Sequence, residues 1–169
     1  LAILTKQFLS LFENNEKFQS LGISLKDLKN PVEKKRTANG FDYNRLAVLI
    51  AVLEKRAGLH LGEQDVYLNV VGGIKINEPA VDLGVVLCTC SSFKNISIPK
   101  DVVVMGEVGL TGEVRRINMI EKRLKEAEKL GFKTCIIPES NKKVLKDKFK
   151  LDIIGVKNIN EAMKKIGLK

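Results

Sequence analysis

The chain has no tryptophan, only two tyrosines and seven phenylalanines in 169 residues, a single histidine and three cysteines. A zinc site needs about four ligands at suitable spacing. His60, Cys88, Cys90 and Cys135 supply neither a C-x-x-C pair nor a histidine cluster, so no metal site is expected. The odd cysteine count points to a reducing compartment, the cytoplasm, rather than to a disulfide framework. Cys88 and Cys90 fall on a predicted buried helix and read as small apolar packing residues. Long apolar runs are missing as well: none approaches the roughly 20 residues that cross a bilayer, so the expectation is a soluble protein with no membrane partner. The opening Leu-Ala-Ile-Leu lacks a methionine, which suggests a piece of something longer. Lys6 and the polar run from Glu13 break its likeness to a signal peptide.

What is present is an ordinary globular composition, 44% hydrophobic and 29% charged, in a length that suits one domain with a real core. The charge is uneven. Residues 1–114 hold 13 Lys/Arg against 13 Asp/Glu, whereas residues 115–169 hold 16 against 7, so the net +9 lies in the last third. Such asymmetry suggests an anionic partner. The lysines Lys142, Lys143, Lys146, Lys148 and Lys150 follow no aromatic or glycine-rich contact pattern and read mainly as a solvated face.

Leu4, Phe8, Leu11 and Phe12 recur at helical spacing and predict an amphipathic helix over 2–13. Lys29-Asn30-Pro31 marks a boundary between a helical extension or linker, 1–30, and a domain, 31–169. Asp42 can cap a helix over 42–57 whose Leu46, Leu49, Ile50 and Leu53 share one face. Val66, Leu68 and Val70 alternate as a strand over 65–71. A helix over 79–92 follows, with Pro79 in its first turn. Val102 to Met105 reads as a buried strand, GEVGLTGEV as a glycine-rich hairpin, and 118–130 as a helix stopped by Gly131. Strands at 134–137 and 152–156, a short helix near Asn141 and a helix over 159–166 complete an α/β alternation.

The stretch GGIKINEPAVDLGVVL, 72–87, is a strand-to-helix corner of the kind that presents a nucleophile, yet it holds no Ser, Thr or Cys before Cys88. Glu78 and Asp82 read as acids favoured by the helix dipole rather than as an acid/base pair. Ser91 and Ser92 fall at the far end of the helix, well away from the corner.

GFDYNRLAVLIAVLEKRAG, DVYLNVVGGIKINEPAVDL and GEVGLTGEVRRINMIEKRLKEAEKLGF followed by IIP closely resemble the C-terminal Lon-protease-like domain of the RadA (Sms) family of bacterial DNA recombination and repair ATPases. The resemblance runs from about Asn30 to the C-terminus. It implies an α/β Lon-protease-like domain, with a mixed sheet and flanking helices, preceded by the N-terminal extension. It also implies what the corner once held. Active Lon peptidases use a Ser-Lys dyad, and the aligned positions here are Ala80 and Glu121; slips of one residue give Pro79, Val81 or Lys122 and still no hydroxyl. A methyl group cannot attack a carbonyl, so no catalytic residue is expected in this chain. The alternative is a Lon-type ATP-dependent serine peptidase that uses other residues.

The family's zinc-ribbon cysteines and G-x-x-x-x-G-K-[ST] phosphate loop are absent from this sequence. The resemblance places zinc, ATP and Mg in upstream domains and makes the full-length protein a DNA-dependent ATPase. It further implies a homo-oligomeric, hexameric ring that acts on single-stranded or branched DNA. Candidate phosphate contacts are Arg36 in the loop before the first domain helix, Arg45 in that helix's first turn, Lys75 beside Gly72-Gly73, and Arg115 after the hairpin, with Arg116 behind them. A cation in a first turn opposes the helix dipole, so Arg45 calls for a compensating partner, be it phosphate or a carboxylate such as Asp42. No aromatic residue interleaves with these cations, which favours sequence-independent contact with the backbone over base stacking.

Overall fold

The computed structural model describes residues 2–4, 21–27, 35–70 and 75–169. In chain order the elements are β1 (Ala2–Leu4), β2 (Leu21–Asp27), β3 (Arg36–Asn39), α1 (Tyr43–Ala57), β4 (Gln64–Val70), α2 (Asp82–Lys94), β5 (Val102–Val104), β6 (Glu107–Val108), β7 (Val114–Arg115), α3 (Ile120–Lys129), β8 (Thr134–Pro138), α4 (Glu139–Lys142), β9 (Asp152–Val156) and α5 (Ile159–Lys165).

Local chemistry sets α1. The Asp42 carboxylate accepts the Arg45 N–H at 2.7 Å, and Gly58 ends the helix at φ 69°, a left-handed conformation that glycine adopts without penalty. Its buried stripe is Leu46, Leu49, Ile50, Val52 and Leu53. Helix α2 is different: every residue from Asp82 to Ser91 is buried, because it lies against β1, β2, α1 and α5 at once. A helix enclosed on all sides has no polar face, which is why it reads as an unbroken apolar run.

The strands form three hydrogen-bonded groups. A mixed sheet runs β1-β2-β4-β3, with β3 parallel to β4 and the other pairs antiparallel. A parallel sheet runs β5-β8-β9, and β6 pairs with β7 as the hairpin. The larger apolar cluster joins α1, β4, α2 and α5, and a second cluster under α3 holds Ala80, Val103, Met105, Ile117, Leu124, Phe132 and Cys135. The architecture is the expected α/β fold with a mixed sheet.

Two expectations change. Residues 2–4, read as the first turn of a helix, form strand β1, paired in register with Leu21–Ile23; the rest of that predicted helix, 5–13, lies outside the described residues. Pairing with β2 overrides a helical periodicity that short segments hold only weakly. Arg36, expected in a loop, opens β3: Asp65 accepts the Lys35 N–H at 2.7 Å, and Lys35 O accepts the Val66 N–H at 2.9 Å, which starts the parallel ladder. The glycines of the corner, within 71–74, also lie outside the described residues.

Candidate functional site

The corner enters α2 through a short 3-10 turn, Pro79–Val81, with Pro79 in its first position. Backbone bonds clip it to the hairpin: Gly106 N–H donates to Ala80 O at 2.8 Å, and Leu83 N–H donates to Gly106 O at 3.0 Å. A Cβ at Gly106 would come within 2.8 Å of a Val114 methyl, so only glycine permits this approach. Ala80 is 4% exposed, and its methyl belongs to the apolar cluster under α3. The Ala80 N–H donates to the Glu78 carboxylate at 3.3 Å.

Glu121 is turned to another task. Its Oε1 accepts the Lys146 N–H at 2.9 Å, tying α3 to the segment after α4. One cation that reaches the corner is Arg123, among the few buried charged residues, whose Nη2 lies 3.2 Å from Glu78 while its Nε donates to Asn118 O at 3.0 Å. The sequence stripe of α3 gave no sign of Arg123 facing inward; its partner Glu78 lies far away in the chain. Ser91, the first hydroxyl along α2 after Thr89, donates to Ile96 O at the helix end, and Thr89 donates to Val85 O.

Arg45 has found its compensating partner. Its Nε and Nη2 both donate to the carboxylate of Asp82, which is fully buried at the start of α2 and also accepts the Val108 N–H at 3.1 Å. Donating these hydrogen bonds to Asp82 raises the Arg45 pKa further. Burial pushes the Asp82 carboxyl up from its ordinary value, more than Arg45 and the Val108 amide pull it down. Asp42, the other candidate, caps the helix instead.

Arg115 is also held. Its Nε lies 2.8 Å from Glu113 Oε1, and its Nη1 lies 3.5 Å from Glu107. The Thr111 hydroxyl, then Glu113's own amide and Arg115, hold the Glu113 carboxyl down to about 2. Glu107 acts on Arg45 and Arg115 alike, so the two arginines share one electrostatic cluster with Asp42, Asp82, Glu107 and Glu113.

Lys75 is exposed and next to Ile76, which bridges to Phe41 just before α1. Ile76 N–H donates to Gly40 O at 2.8 Å, so Lys75 adjoins the end of β3 and the start of α1. Arg36 is half-buried at the far end of β3, and Arg116 is exposed. Among the described residues neither Lys75 nor Arg36 has an ion-pair partner. Thus Arg45 and Arg115 come together through Glu107, Lys75 borders them through the Phe41–Ile76 bridge, and Arg36 stands apart.

The three cysteines are buried in α2 and β8, and among the described residues no three His, Cys, Asp or Glu cluster to hold a metal. Nor is any described helix long and apolar enough to cross a membrane.

An α/β corner of this kind, with its Gly-rich hairpin, defines a domain class, and the family comparison identifies it: the chain belongs to the family described as subunit ChlI of Mg-chelatase, matched over residues 31–141. Its curated relatives are proteins named DNA repair protein RadA. The Bacillus subtilis protein is 50% identical over 130 residues, 77% of this chain and 28% of that protein. The Streptococcus pneumoniae protein is 46% identical over 132 residues, 78% and 31% respectively. The Chlamydia trachomatis protein is 44% identical over 144 residues, 84% and 31%. The match falls in the relatives' C-terminal region, and the chain spans less than a third of their length.

Proposed function

We propose that this chain is the non-peptidase Lon-like domain of a RadA-type, cytoplasmic DNA repair and recombination ATPase, serving ring assembly and sequence-independent contact with DNA. The observation that carries the non-peptidase reading is Ala80: the residue aligned with the nucleophile is a methyl group packed in an apolar cluster, with its amide donated to Glu78. The aligned base, Glu121, is engaged by the Lys146 amide. No hydroxyl and free amine meet here, so acyl transfer lacks both its nucleophile and its base.

In this reading Arg36, Arg45, Lys75 and Arg115 touch phosphates of single-stranded or branched DNA, and repetition of the surface around a hexameric ring turns weak contacts into tight binding. Lys75 and Arg36 are open to phosphate as they stand, whereas Arg45 and Arg115 reach it by sharing their carboxylates. ATP hydrolysis, with its Mg, and the zinc ribbon belong to the upstream domains. The test has two arms. Casein and a fluorogenic peptide, offered with and without ATP and DNA, should remain uncleaved. A labelled oligonucleotide should bind irrespective of sequence, with affinity falling steeply as salt rises. Proteolysis abolished by a point change in this chain would establish the Lon-type peptidase instead, and absence of DNA binding at low salt would remove the DNA role.

A further inference from the structure

A cleft of about 480 Å³ opens where the last turn of α1, the tip of the β6–β7 hairpin and the start of α5 meet. Lys55 and Arg56 line it from α1, Thr111 and Gly112 from the hairpin, and Asn158 and Asn160 from the turn into α5. Residues more than a hundred positions apart are fixed there by short bonds. Asn160 Nδ2 donates to Arg56 O at 3.0 Å, and Ile159 N–H donates to Gly112 O at 2.9 Å. Gly112, at φ 82°, lets the hairpin tip lie against the Arg56 methylenes, which a Cβ there would approach to 3.3 Å.

The lining carries charge of one sign. Lys55 and Arg56 are exposed and, among the described residues, unpaired, and the Lys169 ammonium reaches the rim, 2.8 Å from Asn160 Oδ1. Among the described residues no carboxylate lines the cleft. The acids of the adjoining turns are engaged: Glu113 by Thr111 and Arg115, and Glu161 by the Lys157 N–H at 2.8 Å. Asn158 spends its side-chain oxygen on the Glu161 N–H, which leaves its amide NH₂ as a donor. A concave surface with cations, amide donors, no acid and no aromatic ring suits a phosphate group rather than a base.

We propose that this cleft is a phosphodiester-binding site for a nucleic-acid strand, with Lys55 and Arg56 as its charged contacts. It rests on the DNA-binding reading above but assigns a different surface from Arg36, Arg45, Lys75 and Arg115. The physical advantage of the cleft is that no ion pair has to open before a phosphate enters. Arg45 and Arg115, by contrast, each give up carboxylate contacts already made.

The test is a titration of the isotopically labelled chain with a short deoxythymidine oligomer at low salt, followed by backbone amide resonances. Shifts are expected at Thr111, Gly112, Asn158 and Asn160. A Lys55→Ala/Arg56→Gln variant, which keeps the methylenes that pack on Gly112, should bind about tenfold more weakly, with the log–log salt slope smaller by about 1.4 for two lost single-strand contacts. Its unfolding midpoint should match the parent's, since exposed cations contribute little to stability. Shifts confined to Lys75–Asn77 and the hairpin base, with the variant binding like the parent, would overturn the cleft while leaving the DNA reading intact. No shift anywhere in the parent would overturn both.

Discussion

The Arg45 guanidinium grips the Asp82 carboxylate through two donors, across 37 positions of sequence, and thereby joins the first turn of α1 to the first turn of α2. Each residue answers the other's problem. Arg45 sits where a helix dipole disfavours a cation, and Asp82 sits where burial disfavours an anion. The same carboxylate takes the Val108 amide, so the hairpin is pinned to the pair. The corner thus carries an ion pair that ties α1, α2 and the hairpin together.

Breaking that pair should therefore cost stability rather than chemistry. Arg45→Ala leaves a fully buried carboxylate without its counter-charge, and Asp82→Ala orphans both the guanidinium and the Val108 N–H. Each change is expected to lower unfolding free energy by about 3 kcal/mol, measured by urea denaturation. Replacing both partners together with apolar residues should recover part of the loss. Two single variants as stable as the parent would show that the pair is incidental.

The acids of the cluster predict a pH dependence with a definite sign. Glu113 titrates near 2 when folded against 4.5 ordinarily, so its contribution is present above about 4.5 and fades as pH falls toward 2. Glu113→Gln should flatten the fall in unfolding midpoint between pH 4.5 and 2. An unchanged acid limb would mean that the Thr111–Glu113–Arg115 contacts do not persist in solution.

How much of this was legible in the sequence depends on how local each cause is. Asp42 and Gly58 announce the ends of α1, and the all-apolar run after Asp82 announces an enclosed helix, because capping and burial act over a few residues. Strand β3, with sequence RTAN, carries no apolar alternation; β4 and Asp65 make it a strand. Asn141 looks like a polar residue in a lysine-rich stretch, yet it is buried and its amide group both accepts from and donates to the backbone of Ile117. Asp82 was readable as a first-turn acid, but not as Arg45's partner. That position 80 is an alanine is plain in the sequence, whereas its packing with Met105, Ile117 and Leu124 is not.

Rebuilding the dyad should fail. Ala80→Ser would place a hydroxyl in a cluster with Met105, Ile117 and Leu124, and Glu121→Lys would remove the acceptor of the Lys146 N–H. Neither change frees the Ala80 amide from Glu78. The double variant is expected to show no cleavage of a fluorogenic peptide above the parent's background and a lower unfolding midpoint. Turnover by the double variant would show that the groove and oxyanion donors of a peptidase are still in place.

The contrast between Lys75 and Arg115 gives the last prediction. Lys75 is exposed and, among the described residues, without an ion-pair partner, so a phosphate contact there requires no rearrangement. Arg115 is half-exposed but shared between Glu113 and Glu107, which together outweigh its charge. Lys75→Ala should therefore weaken binding of a single-stranded oligonucleotide and reduce the salt slope by about 0.7 per subunit engaged. Glu113→Gln should do the reverse, since it frees the Arg115 guanidinium and removes a repelling carboxylate beside the strand. Both sites lie on exposed surface, so assembly, checked by sedimentation, is expected to be unchanged. Titrations at several salt concentrations separate the two effects. If Lys75→Ala binds like the parent and Glu113→Gln gains nothing, the corner and hairpin do not meet DNA.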